Sequence, residues 1–241
     1  MEHKVQFGSG LVGILHTPPK NTTDACIIFS HGFLANKNLP LFVTIANALE
    51  LQGYSCLRFD HTGVTGESDG SEKEMTTTKF IQDLHEAVDF IHTKYAKIIV
   101  LGHSLGGFVA IIEASSNPHI NCLILLAPPA NINVQNLISP TVVNEWGKNL
   151  QYTFRNITLP LAFYEDNIRY DALDYMPKVI VPTYLLQGDA DPIVHKESAI
   201  ALMNACTASK KLEFIPEANH LFSFNEEIVT QKIIQWLKEV F

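Results

Sequence analysis

Residues 97–116, KIIVLGHSLGGFVAIIEASS, constrain this chain more than any other stretch. Ile98, Ile99, Val100 and Leu101 form an uncharged, largely β-branched run, as a strand covered on both faces requires. Gly102-His103-Ser104-Leu105-Gly106 follows with no loop residues to spare, and Leu105, Phe108, Val109 and Ile112 continue at helical spacing. A serine caught between a strand end and a helix start sits at a strained bend, its hydroxyl above the sheet edge. Gly102 and Gly106 lack the β-carbons that would collide as strand and helix close. The helix start also turns free N–H groups toward Ser104, which favours negative charge developing there. With 13 Gly in 241 residues, a bare G-x-S-x-G arises by chance in roughly one chain in twenty. The pentapeptide counts because of the strand before it and the helix after it.

The remaining chain repeats the alternation. Residues 3–16 read as an antiparallel pair turning at Gly8-Ser9-Gly10. Strands are expected at 25–29, 54–59, 121–126, 182–187 and 211–215, and helices at 39–51, 78–95, 198–206 and 226–241. This order makes a mainly parallel α/β sheet with helices on both faces. The pattern breaks over 130–178, which shows no clear sheet strand but repeated aromatics: Trp146, Tyr152, Phe154, Phe163, Tyr164, Tyr170 and Tyr175. That stretch reads as an insertion over the C-terminal edge of the strands, where such sheets bind ligands.

Composition excludes several classes. A net charge of −8 without a basic cluster argues against nucleic acid or an anionic membrane as partner. The first ten residues hold no apolar core of signal-peptide length, and no apolar run approaches the ~20 residues of a membrane span, so a cytoplasmic protein is expected. Cys26, Cys56, Cys122 and Cys206 form no C-x-x-C pair and read as buried free thiols.

A serine hydroxyl near neutral pH needs a base, and the base needs an orienting carboxylate. His220, in the loop between the last strand and the last helix, shares the sheet edge of Ser104. The acid should follow the preceding strand, where Asp189 and Asp191 compete. Asp191 lies further out and is favoured for reach, leaving Asp189 to bond the turn. The oxyanion of a tetrahedral intermediate needs two N–H donors, for which the backbones of Leu105 and Phe33 are the candidates. The Phe33 ring can alternatively line an acyl pocket. His31 and His103 read as structural.

Together His31-Gly32-Phe33, Gly102 to Gly107, Gly188-Asp189-Ala190-Asp191 and Asn219-His220 resemble the α/β-hydrolase superfamily, in order and over nearly the whole chain. The resemblance implies an eight-stranded, mostly parallel sheet, a Ser104–Asp191–His220 triad and a small lid after the sixth strand. The core is then 1–129 and 179–241, and the lid 130–178. HGFLANK at 31–37 is similar to the bacterial feruloyl or cinnamoyl esterase group; serine aminopeptidase-like and monoacylglycerol lipase-like members share much of the pattern. The implied activity is hydrolysis of a small-molecule carboxylic ester, aromatic or of medium acyl length, through an acyl-enzyme, with no metal or organic cofactor. Trp146, Tyr152, Phe154 and Tyr164 are the lid candidates for substrate contact. Thioester or peptide hydrolysis on the same triad, and a silent binding protein on this fold, are the alternatives. The oligomeric state stays open, a homodimer included. One departure concerns the D-x-x-G-x-G-x-S loop usual after the fourth strand: Asp60 to Ser68 has an extra residue between its glycines.

Overall fold

A computed structural model describes residues 1–19, 23–132, 151–154 and 157–241, and for 151–154 and 157–160 the backbone alone. The uncharged runs become strands because both of their faces are covered. In chain order the strands are β1 (Glu2–Phe7), β2 (Leu11–His16), β3 (Ala25–Ser30), β4 (Ser55–Phe59), β5 (Lys97–His103), β6 (Ile120–Leu126), β7 (Gln151–Phe154), β8 (Ile157–Pro160), β9 (Thr183–Gly188) and β10 (Lys210–Ile215). Eight form one sheet in the order β1-β2-β4-β3-β5-β6-β9-β10. β2 runs antiparallel to β1 and β4, and the other pairings in this sheet are parallel. This is the α/β-hydrolase architecture that the resemblance implies.

The helices are α1 (Pro40–Leu51), α2 (Thr77–His92), α3 (Leu105–Ala114), α4 (Leu161–Asn167), α5 (Ala172–Tyr175), α6 (Lys196–Ala205) and α7 (Glu226–Val240). Successive strand residues serve two cores. Ile28, Val100, Leu125 and Leu185 join the side chains of α2, α3 and α6. Ile27, Phe29, Leu101, Ile124 and Leu186 join those of α1 and α7. Each fully buried aliphatic side chain contributes roughly 1.5–3 kcal/mol. In α2, Phe80, Leu84, Ala87, Val88 and Ile91 make one buried stripe. Thr76 caps its start, accepting the Lys79 N–H. The helix ends at His92, short of the expected Tyr95, where the Lys94 N–H turns back to the Ile91 carbonyl three residues before it, at 2.9 Å. Every residue of α3 is buried, which explains its apolar surface on all sides.

β6 and β9 are neighbours in the sheet. The described part of the chain between them holds the β7–β8 hairpin, then α4 and α5. The hairpin's two four-residue strands pair with each other and stay outside the main sheet. β3 lies between β4 and β5, so the strand order reverses there. In open parallel sheets, ligands bind at such a reversal, beyond the C-terminal strand ends.

Candidate active site

Ser104 joins β5 to α3 with φ +53° and ψ −123°. A non-glycine residue held in so sparse a region costs of order 1–3 kcal/mol. Its surroundings impose the bend. The Ser104 N–H donates to the Leu126 carbonyl at 2.9 Å, and the Ser104 carbonyl accepts from Gly107 and Phe108. A β-carbon on Gly102 would lie 2.5 Å from the Gly106 carbonyl oxygen, so the strand and helix do close as tightly as expected. The Gly106 gap faces elsewhere: its β-carbon would lie 2.0 Å from the Ser30 carbonyl oxygen at the end of β3.

Parallel strands bring three distant loops to one rim. His220 Nε2 lies 2.9 Å from Ser104 Oγ, and His220 Nδ1 lies 2.8 Å from Asp191 Oδ2. A carboxylate accepts only, so Nδ1 carries the proton and Nε2 is left to accept from the serine hydroxyl. Asp191 Oδ1 accepts the backbone N–H groups of Ile193 at 2.8 Å and Val194 at 3.0 Å. Burial raises the Asp191 pKa, but the bond and charge of His220 and the two backbone donors outweigh it, so the pKa falls below its usual value. Asp189 instead accepts the Glu217 N–H at 2.6 Å and ties the two loops together.

Sequence reading missed Gln187, whose Nε2 donates to Asp191 Oδ2 at 3.1 Å and to the Val194 carbonyl at 2.9 Å. The available signal was a lone amide just after the apolar run Tyr184–Leu186. His103 does hold loop geometry. Its Nε2 donates to the His220 carbonyl at 2.8 Å, while burial, then the nearby His220, pull its pKa down to about 3.

The Leu105 N–H opens α3, and Phe33 follows Gly32, whose missing β-carbon would lie 3.0 Å from Ser104 Cβ. Neither N–H donates to a protein acceptor among the described residues. The Phe33 ring packs against Phe163 of α4 with centroids 5.0 Å apart. Tyr164 is half-buried against the same core. Tyr152 and Phe154 lie in β7 with side chains outside the described set, and Trp146 is outside the described residues altogether.

The departing loop grips the segment after Phe33. Asp60 accepts the Lys37 N–H at 2.7 Å and the Glu67 N–H at 2.8 Å, and pairs with the buried Lys37 ammonium. Thr65, within the lengthened part, donates to the Ala35 carbonyl at 2.7 Å and accepts from Asn36 at 2.9 Å. The extra residue therefore supplies further hold on this loop. The four cysteines are buried and free. Among the described residues, no group of three or more His, Cys, Asp or Glu side chains is placed to hold a metal ion, and no helix is long and apolar enough to cross a membrane.

Comparison with known proteins gives the same architecture. The family described as serine aminopeptidase, S33 matches residues 21–174. Rat monoglyceride lipase is 25% identical over an alignment of 252 positions, covering 90% of this chain and 82% of the lipase. Rat mitochondrial palmitoyl-protein thioesterase ABHD10 is 29% identical over 187 positions, covering 73% of this chain and 62% of that protein. Among solved structures, Est1E from Butyrivibrio proteoclasticus with ferulic acid bound superposes with a TM-score of 0.86 at 23% identity, covering 98% of this chain and 99% of Est1E.

Proposed function

The chain belongs to the serine aminopeptidase, S33 family of α/β-hydrolases, and from that premise we propose that it hydrolyses carboxylic esters with Ser104 as nucleophile, His220 as base and Asp191 as orienting acid. Ser104 Oγ attacks the ester carbonyl while His220 Nε2 takes its proton. The N–H groups of Phe33 and Leu105 receive the oxyanion. The intermediate collapses, the C–O bond to the alcohol breaks, and His220 returns the proton to the leaving oxygen. Water then attacks the acyl-enzyme, giving its proton to His220, and the acid leaves as Ser104 is restored.

One observation carries the reading: a single imidazole spans Ser104 Oγ at 2.9 Å and Asp191 Oδ2 at 2.8 Å, with the serine in a strained backbone conformation. Within 130–178, α4 serves as part of a lid over this rim, its Phe163 ring packed on Phe33. The substrate is a small-molecule ester with an aromatic or medium acyl group; the Phe33–Phe163 pair beside Ser104 supports that preference. The likeness to a palmitoyl-protein thioesterase favours thioesters as the second class.

A fluorophosphonate probe tests the assignment. It should label the wild type and not Ser104→Ala, and kcat/KM over aryl esters, alkyl esters, acyl-CoA and aminoacyl anilides should rank esters first. A folded wild type that stays unlabelled and inert on activated esters overturns the reading in favour of a silent fold.

A further inference from the structure

Ser30, the last residue of β3, is fully buried, yet it stands at the head of a second serine–histidine–aspartate series. Its hydroxyl lies 2.9 Å from His61 Nε2, and His61 Nδ1, which makes no hydrogen bond among the described residues, faces the Asp83 carboxylate at 3.4 Å. His61 and Asp83 are buried as well. No substrate reaches this hydroxyl, so it cannot be a nucleophile. It can hold backbone.

The His61 ring is packed on two sides, and Asp83 is held by its own donors. The His61 ring stacks on Phe80 with centroids 4.3 Å apart and planes 5° apart, and meets Phe59 edge-on at 4.7 Å. Asp83 accepts from the Thr62 N–H at 2.7 Å, the Thr62 hydroxyl at 2.9 Å and the Lys79 ammonium at 2.7 Å. Burial raises the Asp83 pKa, but His61, Lys79 and Thr62 together bring it below its usual value. The carboxylate facing the ring is therefore charged, and packing against Phe80 and Phe59 holds the ring.

From His61 the hold passes to the loop beside Ser104. The His61 N–H donates to His31 Nε2 at 3.0 Å. That nitrogen accepts, so the His31 proton sits on Nδ1, which donates to the Gly32 carbonyl at 2.9 Å. On its other side Ser30 presses its carbonyl against Gly106 at the start of α3, and Gly32 abuts Ser104. Ser30 to Gly32 is thus fixed between the His61 series and the helix that carries the nucleophile.

We propose that Ser30, His61 and Asp83 are positioning residues that set the Phe33 N–H against the oxyanion formed at Ser104. The proposal rests on the reading of Ser104 as nucleophile and Phe33 as donor. A lost oxyanion donor costs about 10²–10³ in kcat, and misplacement by about 1 Å costs on the order of 10². A displaced donor should lower kcat with little change in KM, since the bond strengthens as charge develops.

The experiment compares Ser30→Ala, His61→Phe and the double variant, each checked for folding by circular dichroism and thermal melting. His61→Phe keeps a ring against Phe80 but cannot accept from Ser30. Ser30→Ala removes a single oxygen atom and keeps the test available should His61→Phe not fold. Steady-state kinetics on an activated ester should show kcat down about 10–100-fold and KM within about threefold. The double variant should be no worse than His61→Phe, because both act through one bond. Affinity for a boronic acid, whose tetrahedral adduct uses the same donors, should weaken in step with kcat. Folded single variants with kcat within about twofold of wild type, losses confined to KM, or losses that add in the double variant overturn the proposal. An inert wild type overturns the Ser104 reading itself, and that outcome is distinct from an active wild type with unaffected variants.

Discussion

Phe33 and Phe163 pack ring against ring, 5.0 Å between centroids and tilted by 34°, although they lie 130 positions apart in the chain. One ring belongs to the loop beside Ser104 and the other to α4, so the chain between β6 and β9 reaches the loop whose Phe33 N–H is proposed as an oxyanion donor. An aromatic pair adds about 0.5–1.5 kcal/mol beyond the area it buries. Phe163→Leu should lower the melting temperature by roughly 2–4 °C for each kcal/mol lost. It should also lower kcat/KM for aryl-acyl esters about fivefold or more while an acetyl ester stays within about twofold. An equal fall for both esters would show that this contact does not shape acyl preference.

Asp191→Asn keeps the shape of the side chain and reverses one hydrogen bond. An amide N–H facing His220 Nδ1 forces the ring proton onto Nε2, which then has no lone pair for the Ser104 hydroxyl. kcat should fall by about three to four orders of magnitude with the protein folded. Asp189→Asn should lose far less, because Asp189 holds the Glu217 N–H. Ester kinetics on both variants decides the matter, and equal losses would remove the distinction between the two acids.

Gly106→Ala would drive a β-carbon to 2.0 Å from the Ser30 carbonyl oxygen, where backbone lies on both sides. The expected cost exceeds about 3 kcal/mol, with activity lost as β3 and α3 separate. Gly107→Ala places its β-carbon 3.0 Å from the Gly102 oxygen and the Pro128 side chain, a contact a small shift relieves. Alanine's better helix propensity, about 1 kcal/mol, offsets part of that strain. Thermal melting of the two variants should separate them by several degrees; matching melts would contradict the packing at Ser30.

Acidification should destabilise the protein through its buried neutral histidines. His31 and His103 have pKa values near 3, against an ordinary 6.5, chiefly because burial disfavours the charged ring. Between those values the unfolded chain binds protons that the folded chain refuses, so this contribution is intact above pH 6.5 and falls as pH drops toward 3. Each histidine adds a slope of up to about 1.4 kcal/mol per pH unit. Urea unfolding from about pH 7 to about pH 4 should show this fall. His103→Gln, which cannot titrate, should have the shallower slope, and identical slopes would mean that His103 protonates normally in the folded protein.

The strand–serine–helix unit was legible because it is local: its apolar run, its two glycines and its helical spacing lie within about twenty consecutive residues. The rim was legible from order alone, since loops that follow parallel strands emerge at one edge. Asp60 to Ser68 reads in sequence only as a polar loop with one residue too many, and its grip on Ala35, Asn36 and Lys37 depends on β4 lying beside β3. Phe163 was one aromatic among several until α4 set it on Phe33.

By itself the sequence determined the α/β alternation, the two-faced core and the serine at the bend. These follow from the spacing of apolar residues and the absence of β-carbons, which act between near neighbours. Only the tertiary structure decided that Asp191 and not Asp189 faces His220, that Gln187 steadies that carboxylate, and that Ser30, His61 and Asp83 line up behind the loop. Those choices turn on angles and distances across adjacent strands. A hydrogen bond lost to a displacement of about 1 Å leaves no trace in residue order.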